Sequence, residues 1–508
     1  MTTPTRTEKD PLGTLEVPAD AYYGIQTARA IANFPISGRR PDIALVRAAV
    51  QVKKAAARAN RATGRLPEDL ADAIIAAADE ILGLAGQGTA KGRALQATLI
   101  DSFRVDPFQA GAGVSHNMNT NEVLANRAIE ILGANGTGSG KRGDYSVVNP
   151  NDHVNMAQST NDTFPTAMRL AALDRVKELL IALEELVAAF EDRAQAFDSV
   201  LKAGRTHMQD AVPIRLGQEF AAYALTTARA RQGILQAAEA LAEQNIGATA
   251  VGTGLNAEPE YISLVVEMLS EQTGYRLRTA DSLVHATQSM APMLGVSAAL
   301  RGLAVDLSKI CEDLLLMSSG PRTGFAEIRL PARQPGSSIM PGKVNPVMVE
   351  NLSMICYHVV GADTAVAWAV SRGQLELNVM MPLIAHEVLE SLVVLTNGTR
   401  QFATQCVAGI EADVERAAWL LENSSAMATP LAPYIGYALA AEIAKQAVAE
   451  GRTIRELVVE RGIFTAEELA EILDPHELTR PGIAGGMRFE PRLPKGHKRP
   501  TGPAGGGG

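Results

Sequence analysis

Residues 336–346 (GSSIMPGKVNP) concentrate, in one short segment, side chains that could bind and react with an anion. They comprise two hydroxyls, an ammonium group and a carboxamide, from Ser337, Ser338, Lys343 and Asn345. All of these groups donate hydrogen bonds, whereas an ionised carboxylate only accepts them, so the set suits a carboxylate ligand. The glycines and prolines of the segment exclude a continuous helix and favour a loop that can close over the ligand.

Four further polar stretches interrupt the otherwise apolar sequence and repeat this chemistry. They span residues 111–122, 149–162, 204–210 and 252–256. Within them lie more neutral hydrogen-bond donors and an imidazole, from Ser159, Thr160, Asn161, Thr206 and His207. A site with many neutral donors and a single cation suits a small dicarboxylate.

The elements that position these stretches are predicted to be long helices. Two apolar stripes recur at alternating spacings of three and four residues, with charged residues between them. The first comprises Leu173, Val176, Leu180, Leu183, Val187, Phe190 and Ala194, and the second Leu300, Leu303, Leu307, Ile310, Leu314 and Met317. Heptad patterns of this kind wind neighbouring helices around each other at a shallow angle. We expect an elongated bundle whose apolar seams extend to pairing between subunits.

Changes in composition divide the chain into four parts. We predict an N-terminal domain over residues 1–155, a central helical bundle over 156–412, a small C-terminal helical domain over 413–485 and a disordered tail over 486–508. Thr465 and Glu468 have the spacing of a capping box and indicate a helix start in the third part. Residues 12–20 are predicted to form an extended arm with turns. Two glycine-rich stretches, 86–92 and 133–140, are interpreted as mobile surface insertions.

Composition and charge exclude several classes of function. The chain has 508 residues, a net charge of −9 and no basic run outside its last residues, which argues against a nucleic-acid partner. Its three cysteines lie far apart without metal-ligand spacing, so we expect buried thiols and no metal site. A polar N-terminus and the lack of an apolar stretch of about 18 residues favour a cytoplasmic protein without a membrane span.

Taken as a whole, residues 336–346 resemble the signature of the aspartase/fumarase superfamily, and the likeness extends over residues 10–480. Other stretches are more similar to aspartate ammonia-lyases than to class II fumarases, namely 10–13, 17–24, 149–155, 209–213, 216–220 and 373–380. The resemblance implies an all-α, three-domain fold with a central long-helix bundle, assembled as a homotetramer with a 20-helix core. In such a tetramer each active site combines polar segments from three subunits.

By this resemblance, the reaction is a reversible anti elimination of ammonia from L-aspartate that gives fumarate. Ser337 is the implied base and removes the C3 proton as an alkoxide. The pKa of its hydroxyl then has to be lowered by backbone N–H groups of the loop and by Lys343. Preorganised donors have to stabilise the charge that develops on the adjacent carboxylate. A mobile loop that closes over the substrate would exclude water.

The resemblance also assigns the binding residues. The implied contacts to the β-carboxylate come from Ser159, Thr160 and Ser338. Those to the α-carboxylate come from Lys343 and Asn345, and those to the amino group from Asn161, Thr206 and the catalytic His207. The supporting residues are Glu350, which would orient His207, together with Ser115 and Asn117. No cofactor is implied, although a divalent cation activates some members of the family.

One position departs from the family pattern. Val114 stands where the family usually has a threonine that donates to the β-carboxylate, and valine has no donor. Loss of one charge-assisted hydrogen bond costs about 1.5–3 kcal/mol unless Ser115, Asn117 or water compensates. Three alternatives therefore stay open: a fumarase that dehydrates malate, a lyase for an aspartate analogue, and a non-catalytic helical scaffold. The intact set of polar residues disfavours the scaffold.

Overall fold

The structure, a computed structural model, describes residues 4–487, 489, 490 and 492. Helices dominate these residues, and the predicted all-α class is confirmed. The α-helices are α1 (Ile25–Asn33), α2 (Ile43–Ala62), α3 (Glu68–Leu82), α4 (Ala90–Asp101), α5 (Val114–Ala134), α6 (Thr160–Ala196), α7 (Leu216–Glu239), α8 (Pro259–Thr273), α9 (Leu283–Gln288), α10 (Ala291–Met317), α11 (Val347–Val370), α12 (Met381–Gln405), α13 (Val414–Glu422), α14 (Ala432–Ile435), α15 (Tyr437–Glu450), α16 (Ile454–Glu460), α17 (Ala466–Ile472) and α18 (Pro475–Leu478).

The strands of the described residues form short two-stranded pairs. They are β1 (Thr5–Asp10), β2 (Gly13–Pro18), β3 (Leu201–Thr206), β4 (Gln209–Arg215), β5 (Glu243–Gln244), β6 (Arg278–Thr279), β7 (Ile328–Arg329) and β8 (Glu411–Ala412). The pairs β1–β2, β3–β4 and β7–β8 are antiparallel, and β5–β6 is parallel. The extended arm predicted over residues 12–20 is thus largely strand β2, one half of a hairpin.

The chain divides into two compact units, each assembled from separate stretches. Unit 1 contains the residues up to 182 together with 230–305 and 354–397, and unit 2 contains 183–229, 306–353 and the residues from 398 onward. This division follows packing and not chain order, because the boundaries fall inside long helices such as α6 and α10. The domain boundaries proposed from the sequence, which follow chain order, stay a prediction.

Both predicted apolar stripes lie on long helices, α6 and α10. Leu300, Leu303 and Leu307 of α10 are each 1% exposed, and Leu183 and Phe190 of α6 are fully buried. The heptad spacing therefore identifies the buried face of α10 correctly. On α6 it is only partly right, because Leu180 and Val187 of the stripe are half-buried, whereas Leu179 and Leu186, which lie outside the stripe, are fully buried. The second stripe also ends where α10 ends, at its last apolar residue.

Helix α11 is long and apolar enough, by length and composition alone, to cross a membrane, although the sequence leads us to expect no membrane span. In the structure it carries a paired carboxylate on the face that packs against α10. Asp363 is 3% exposed and accepts hydrogen bonds from Ser297 at 2.7 Å and from Arg301 at 2.8 Å. In unit 1, Val359 and Val366 of α11 are buried, whereas other large apolar side chains of the helix are exposed.

Helices α2, α3 and α5 build the core of unit 1. Helix α2 is rich in alanine, which has the highest helix propensity, and Asp42 caps its start by accepting the N–H of Ala44 at 2.7 Å. Gly83 ends α3 in the left-handed conformation at φ 76°. Fully buried members of this core include Val50, Ile74 and Val123. Lys53, only 1% exposed, also lies on the buried face of α2 and places a cation inside the unit.

The core of unit 2 contains the short helices near the C-terminus. Its buried residues include Leu431, Tyr434, Ile443, Leu457 and Phe464. The predicted capping box of Thr465 and Glu468 is confirmed at the start of α17. The tail predicted over 486–508 lies outside the described residues except for 486, 487, 489, 490 and 492. At two of these, the Phe489 ring packs against Phe464, and the backbone N–H of Arg492 donates to the carbonyl of Tyr434.

The two glycine-rich stretches bring backbones together. Helix α4 begins at Ala90, so Gly92 is helical, and a Cβ there would lie 1.9 Å from the carbonyl oxygen of Gly86. In the second stretch, a Cβ on Gly133 of α5 would lie 2.3 Å from the Cα of Gly140. Gly92 and Gly133 thus lie in helices and permit close backbone contacts with Gly86 and Gly140, whereas the mobility of the two stretches stays a prediction.

Candidate active site

The first polar cluster lies in unit 1 at the start of α6. Thr160 is the first residue of this helix, and Ser159 and Asn161 flank it. The Oγ atom of Ser159 accepts the backbone N–H of Asn161 at 3.2 Å, and the Asn161 amide donates to the carbonyl of Ala250 at 2.7 Å. The backbone N–H groups of Asp162 and Thr163 donate to the carbonyl of Ser159, so the attraction of this end of α6 for a carboxylate comes from the helix dipole and from the hydroxyl and amide side chains.

Helix α5 contributes two more predicted residues to this cluster. Asn117 is 5% exposed; its amide donates to the Oγ1 atom of Thr160 at 3.1 Å, and its Oδ1 accepts the hydroxyl of Thr163 at 3.2 Å. Ser115 lies two residues earlier in α5 and is also buried. The structure thus joins Asn117 to Thr160 and places Ser115 nearby on the same helix, whereas their roles toward a substrate stay a prediction.

A buried carboxylate holds the cluster in place. Asp162 is fully buried and accepts the backbone N–H groups of Ser159 at 2.9 Å, Gly247 at 3.1 Å and Thr249 at 2.9 Å. Burial raises the pKa of Asp162 to about 7, and these N–H groups oppose the rise. Asp162 thereby ties the start of α6 to the turn that precedes the polar stretch 252–256.

A buried lysine beside the cluster was missed from the sequence. Lys53 donates to the side-chain oxygens of Asn155 at 2.8 Å and Gln158 at 2.9 Å, and the Asn155 oxygen also accepts from Asn117 at 3.2 Å. Burial lowers the pKa of Lys53 to about 7, and the charge of Asp162 opposes this. The sequence does contain a sign of this residue, since Lys53 lies on the apolar face of a helical pattern. A lysine is almost never fully buried unless it is paired, so its position there indicates a polar partner.

The departure from the family pattern lies at the start of α5. Gly113 caps this helix with φ 92°, and a Cβ on it would lie 2.4 Å from the ring of Phe164, so only glycine fits there. Val114 follows as the first residue of α5 and is 44% exposed. Its apolar side chain therefore lies at the surface beside the buried Ser115, at a helix start that favours anions.

The second polar group lies in unit 2, in the loop between β7 and α11. Ser337 is half-buried in this loop, and its Oγ atom accepts the backbone N–H groups of Ile339 at 3.2 Å and Met340 at 2.9 Å. Ser338 and Lys343 are exposed on the same loop. Two backbone donors thus contact the predicted base, and donors to an oxygen stabilise negative charge on it.

The loop is closed by its own hydrogen bonds. The N–H of Gly336 donates to the carbonyl of Lys343 at 2.8 Å, and the Asn345 amide donates to the carbonyl of Gly336 at 2.7 Å. A Cβ on Gly336 would lie 2.7 Å from backbone atoms of both Lys343 and Asn345, so this close approach requires a glycine. Gly342 is a glycine for a different reason, because its φ of 78° lies in the left-handed region. One amide N–H of Asn345 is used inside the loop, which leaves its second N–H for the predicted α-carboxylate.

The tip of the β3–β4 hairpin carries the remaining predicted residues. His207 and Met208 form its two-residue turn with φ values of 52° and 61°, and Thr206 precedes them at the end of β3. Positive φ at both positions defines a turn that usually contains glycine or asparagine, and strain of this kind clusters at functional sites. The partly buried Arg205 pairs with the fully buried Glu327 at 3.0 Å and anchors the base of the turn.

Each unit therefore holds one part of the predicted set. Unit 1 contains Ser115, Asn117, Ser159, Thr160 and Asn161, and unit 2 contains Thr206, His207, Ser337, Ser338, Lys343, Asn345 and Glu350. In the described part of the chain, no hydrogen bond joins Glu350 to His207, so their pairing stays a prediction. The described residues also contain no group of three or more histidine, cysteine or acidic side chains placed to hold a metal ion.

Comparison with known proteins identifies relatives over almost the whole chain. A family model described as Lyase matches residues 13–361, and one described as Fumarase C C-terminus matches residues 427–480. Aspartate ammonia-lyase of Bacillus subtilis (strain 168) is 50% identical over 480 residues, which cover 94% of this chain and 97% of the relative. Fumarate hydratase class II of Thermosynechococcus vestitus is 46% identical over 469 residues, which cover 92% and 96%.

A solved structure extends this similarity to the fold. The crystal structure of fumarate lyase:delta crystallin from Brucella melitensis bound to cobalt is 47% identical, with a TM-score of 0.88 over 94% of this chain and 100% of that one. The predicted enzyme class, a carbon–nitrogen lyase, is confirmed by the family match and the aspartate ammonia-lyase relatives. The chain belongs to the aspartase/fumarase superfamily of lyases.

Proposed function

We propose that the protein is an aspartate ammonia-lyase, which interconverts L-aspartate with fumarate and ammonia, and that Ser337 is its base. The observation that carries the proposal is the pair of backbone N–H groups, from Ile339 and Met340, that donate to the Ser337 oxygen. Donors to an oxygen favour its ionised form, and Lys343 adds a positive charge to the same loop. The relatives named aspartate ammonia-lyase support aspartate as the substrate.

In the proposed reaction the Ser337 alkoxide takes the C3 proton of aspartate. The electron pair of the broken C–H bond moves onto the adjacent carboxyl group, whose aci form Ser159, Thr160 and Ser338 stabilise by hydrogen bonds. Return of that pair forms the C2–C3 double bond and expels ammonia with the electrons of the C2–N bond. Lys343 and Asn345 hold the other carboxylate, while Asn161, Thr206 and His207 surround the departing amine.

Fumarase activity is the second candidate, because the fumarate hydratase relative is 46% identical. Purified protein offered L-aspartate should release fumarate and ammonia in equal amounts, and L-malate should be inert. If malate alone is consumed, the protein is a fumarase. If neither reacts, an aspartate analogue or a non-catalytic role replaces the proposal. We expect turnover without any added cofactor, so a run with chelator and a run with added magnesium would separate a required metal from an activating one.

We also propose assembly into a homotetramer in the cytoplasm. Unit 1 exposes large apolar side chains on α11, and Met354, Tyr357 and Trp368 are 62%, 57% and 65% exposed. Their separations of three and eleven residues place them on one helix face. A second copy of this chain is the occupant that an apolar helical seam of this kind favours, because burial of such side chains stabilises association.

Replacement of Val114 by threonine should raise kcat/KM for aspartate by about tenfold. The new hydroxyl would restore a donor at the start of α5, and one hydrogen bond to a charged group contributes about 1.5 kcal/mol. Val284→Thr, at an exposed position of α9 in the same unit, is the matched control and should leave kcat/KM unchanged. Unchanged or lower activity in Val114→Thr would favour a substrate with an apolar group at this position.

A further inference from the structure

A chain of hydrogen bonds joins the buried Lys53 to the Thr160 hydroxyl at the start of α6. The Nζ atom of Lys53 donates to Asn155 Oδ1 at 2.8 Å, and the amide of Asn117 donates to the same oxygen at 3.2 Å. The Asn117 amide donates as well to Thr160 Oγ1 at 3.1 Å. All four residues belong to unit 1, and Lys53, Asn117 and Thr160 are buried. A change at Lys53 can therefore reach Thr160 through two intervening side chains.

The direction of these hydrogen bonds is set at Lys53. A lysine ammonium has three N–H donors and no acceptor, so the atom of Asn155 that faces it must be the side-chain oxygen. The Asn155 amide nitrogen then faces the other way and donates to the backbone carbonyl of Gln158 at 3.2 Å. The side-chain oxygen of Gln158 accepts a second N–H of Lys53 at 2.9 Å. A neutral amine keeps two N–H groups, so both hydrogen bonds persist in either charge state of the lysine.

Asn117 passes this direction on to Thr160. The oxygen of Asn155 requires the NH₂ end of Asn117 opposite it, and that end also faces Thr160 Oγ1. The amide oxygen of Asn117 consequently faces Thr163, whose hydroxyl donates to it at 3.2 Å. Because Thr160 Oγ1 accepts this hydrogen bond, its own proton points away from Asn117. The order of donors and acceptors thus keeps the Thr160 hydroxyl as a donor, which is what a carboxylate requires.

We propose that Lys53 is a positioning residue of the active site, because it fixes the direction in which the Thr160 hydroxyl donates. It acts through Asn155 and Asn117 and does not itself contact the substrate. The inference rests on the proposed function, in which Thr160 contacts the β-carboxylate. A lysine that served only the fold would change the free energy of unfolding when replaced, but the folded variant would bind a dicarboxylate as tightly as wild type.

Lys53→Met tests the proposal, because methionine has a similar length and no N–H donor. Without that donor the amides of Asn155 and Asn117 can reverse, and Thr160 then donates to Asn117 instead of the substrate. Titration calorimetry with succinate, an unreactive dicarboxylate, should show an affinity about tenfold weaker than that of wild type, as expected for one lost hydrogen bond to a charged group. The kcat/KM for aspartate should fall at least as much, since this carboxylate gains charge during the reaction.

Three further variants separate positioning from stability. Thr160→Val removes the hydroxyl itself, so Lys53→Met on this background should weaken succinate binding no further. Asn155→Leu interrupts the same chain one step nearer to Thr160 and should match the loss in Lys53→Met, which provides a second test if that variant does not fold. Lys54→Met is the matched control, because Lys54 is the next residue of α2 and pairs with Asp79 at 2.5 Å. It should keep wild-type affinity and turnover.

The succinate titration and the turnover assay give independent results. Wild-type protein that binds succinate but leaves aspartate unchanged would contradict the proposed reaction alone, and the affinities of the variants would still decide on Lys53. Equal succinate affinity in Lys53→Met and wild type would overturn the positioning role. The same holds if Lys53→Met causes an equal loss with and without the Thr160 hydroxyl, if Lys54→Met loses as much, or if wild type does not bind succinate at millimolar concentration.

Discussion

Ser337→Ala is expected to lower kcat for aspartate by about 10³-fold or more and to leave the fold and the tetramer unchanged. A positioned base contributes about 10²–10⁴-fold to a proton transfer, and alanine has no atom that can take the C3 proton. The Ser337 Oγ atom accepts two backbone N–H groups, and both lie in an exposed loop. Water can therefore replace the lost hydroxyl as their acceptor. The measurement is the rate of fumarate formation, with circular dichroism and light scattering as checks on fold and mass.

Ser338→Ala is the matched comparison for this prediction, because it removes the same group from the adjacent position of the same loop. Ser338 is proposed to donate one hydrogen bond to the β-carboxylate, so its loss should lower kcat/KM by about ten- to a hundredfold. If Ser337→Ala keeps more than a tenth of wild-type kcat, or if both variants lose the same amount, Ser337 is not the base.

The long helices could be predicted from the sequence because their signal is local. Heptad spacing predicts both helices, and along α10 it also predicts which face is buried before any partner is known. The placement of two glycines in helices could not be predicted, for the opposite reason. Gly92 and Gly133 have the composition of a loop, but their role is set by the backbones of Gly86 and Gly140, which pack against them. Composition alone does not distinguish a flexible stretch from a close contact.

The candidate site shows the same limit. The donors of the loop at Ser337 follow from a contiguous segment, so the sequence identifies them. Lys53 and Asp162 act instead through contacts with residues far along the chain, since Lys53 binds Asn155 and Asp162 binds Thr249. No spacing rule connects such positions. The strained turn at His207 is also invisible in the sequence, because a histidine there carries no sign of positive φ.

Asp162→Ala should destabilise the protein by about 3–5 kcal/mol, which is the largest stability effect that we expect of a single substitution in unit 1. The change leaves the backbone N–H groups of Ser159, Gly247 and Thr249 without their acceptor in a fully buried setting. It also removes the carboxylate whose charge favours the protonated form of Lys53. Differential scanning calorimetry should show a fall in the unfolding temperature of several degrees.

Asp281→Ala provides the control for this prediction, because Asp281 is an exposed carboxylate in the same unit and its loss should change stability by less than about 0.5 kcal/mol. Asp162→Ala should in addition raise KM for aspartate, since Asp162 holds the N–H of Ser159 at the start of α6. Stability lost with KM unchanged would mean that the substrate does not bind at this end of α6. Stability retained would mean that water replaces the buried carboxylate, so that Asp162 is not the group that holds the cluster together.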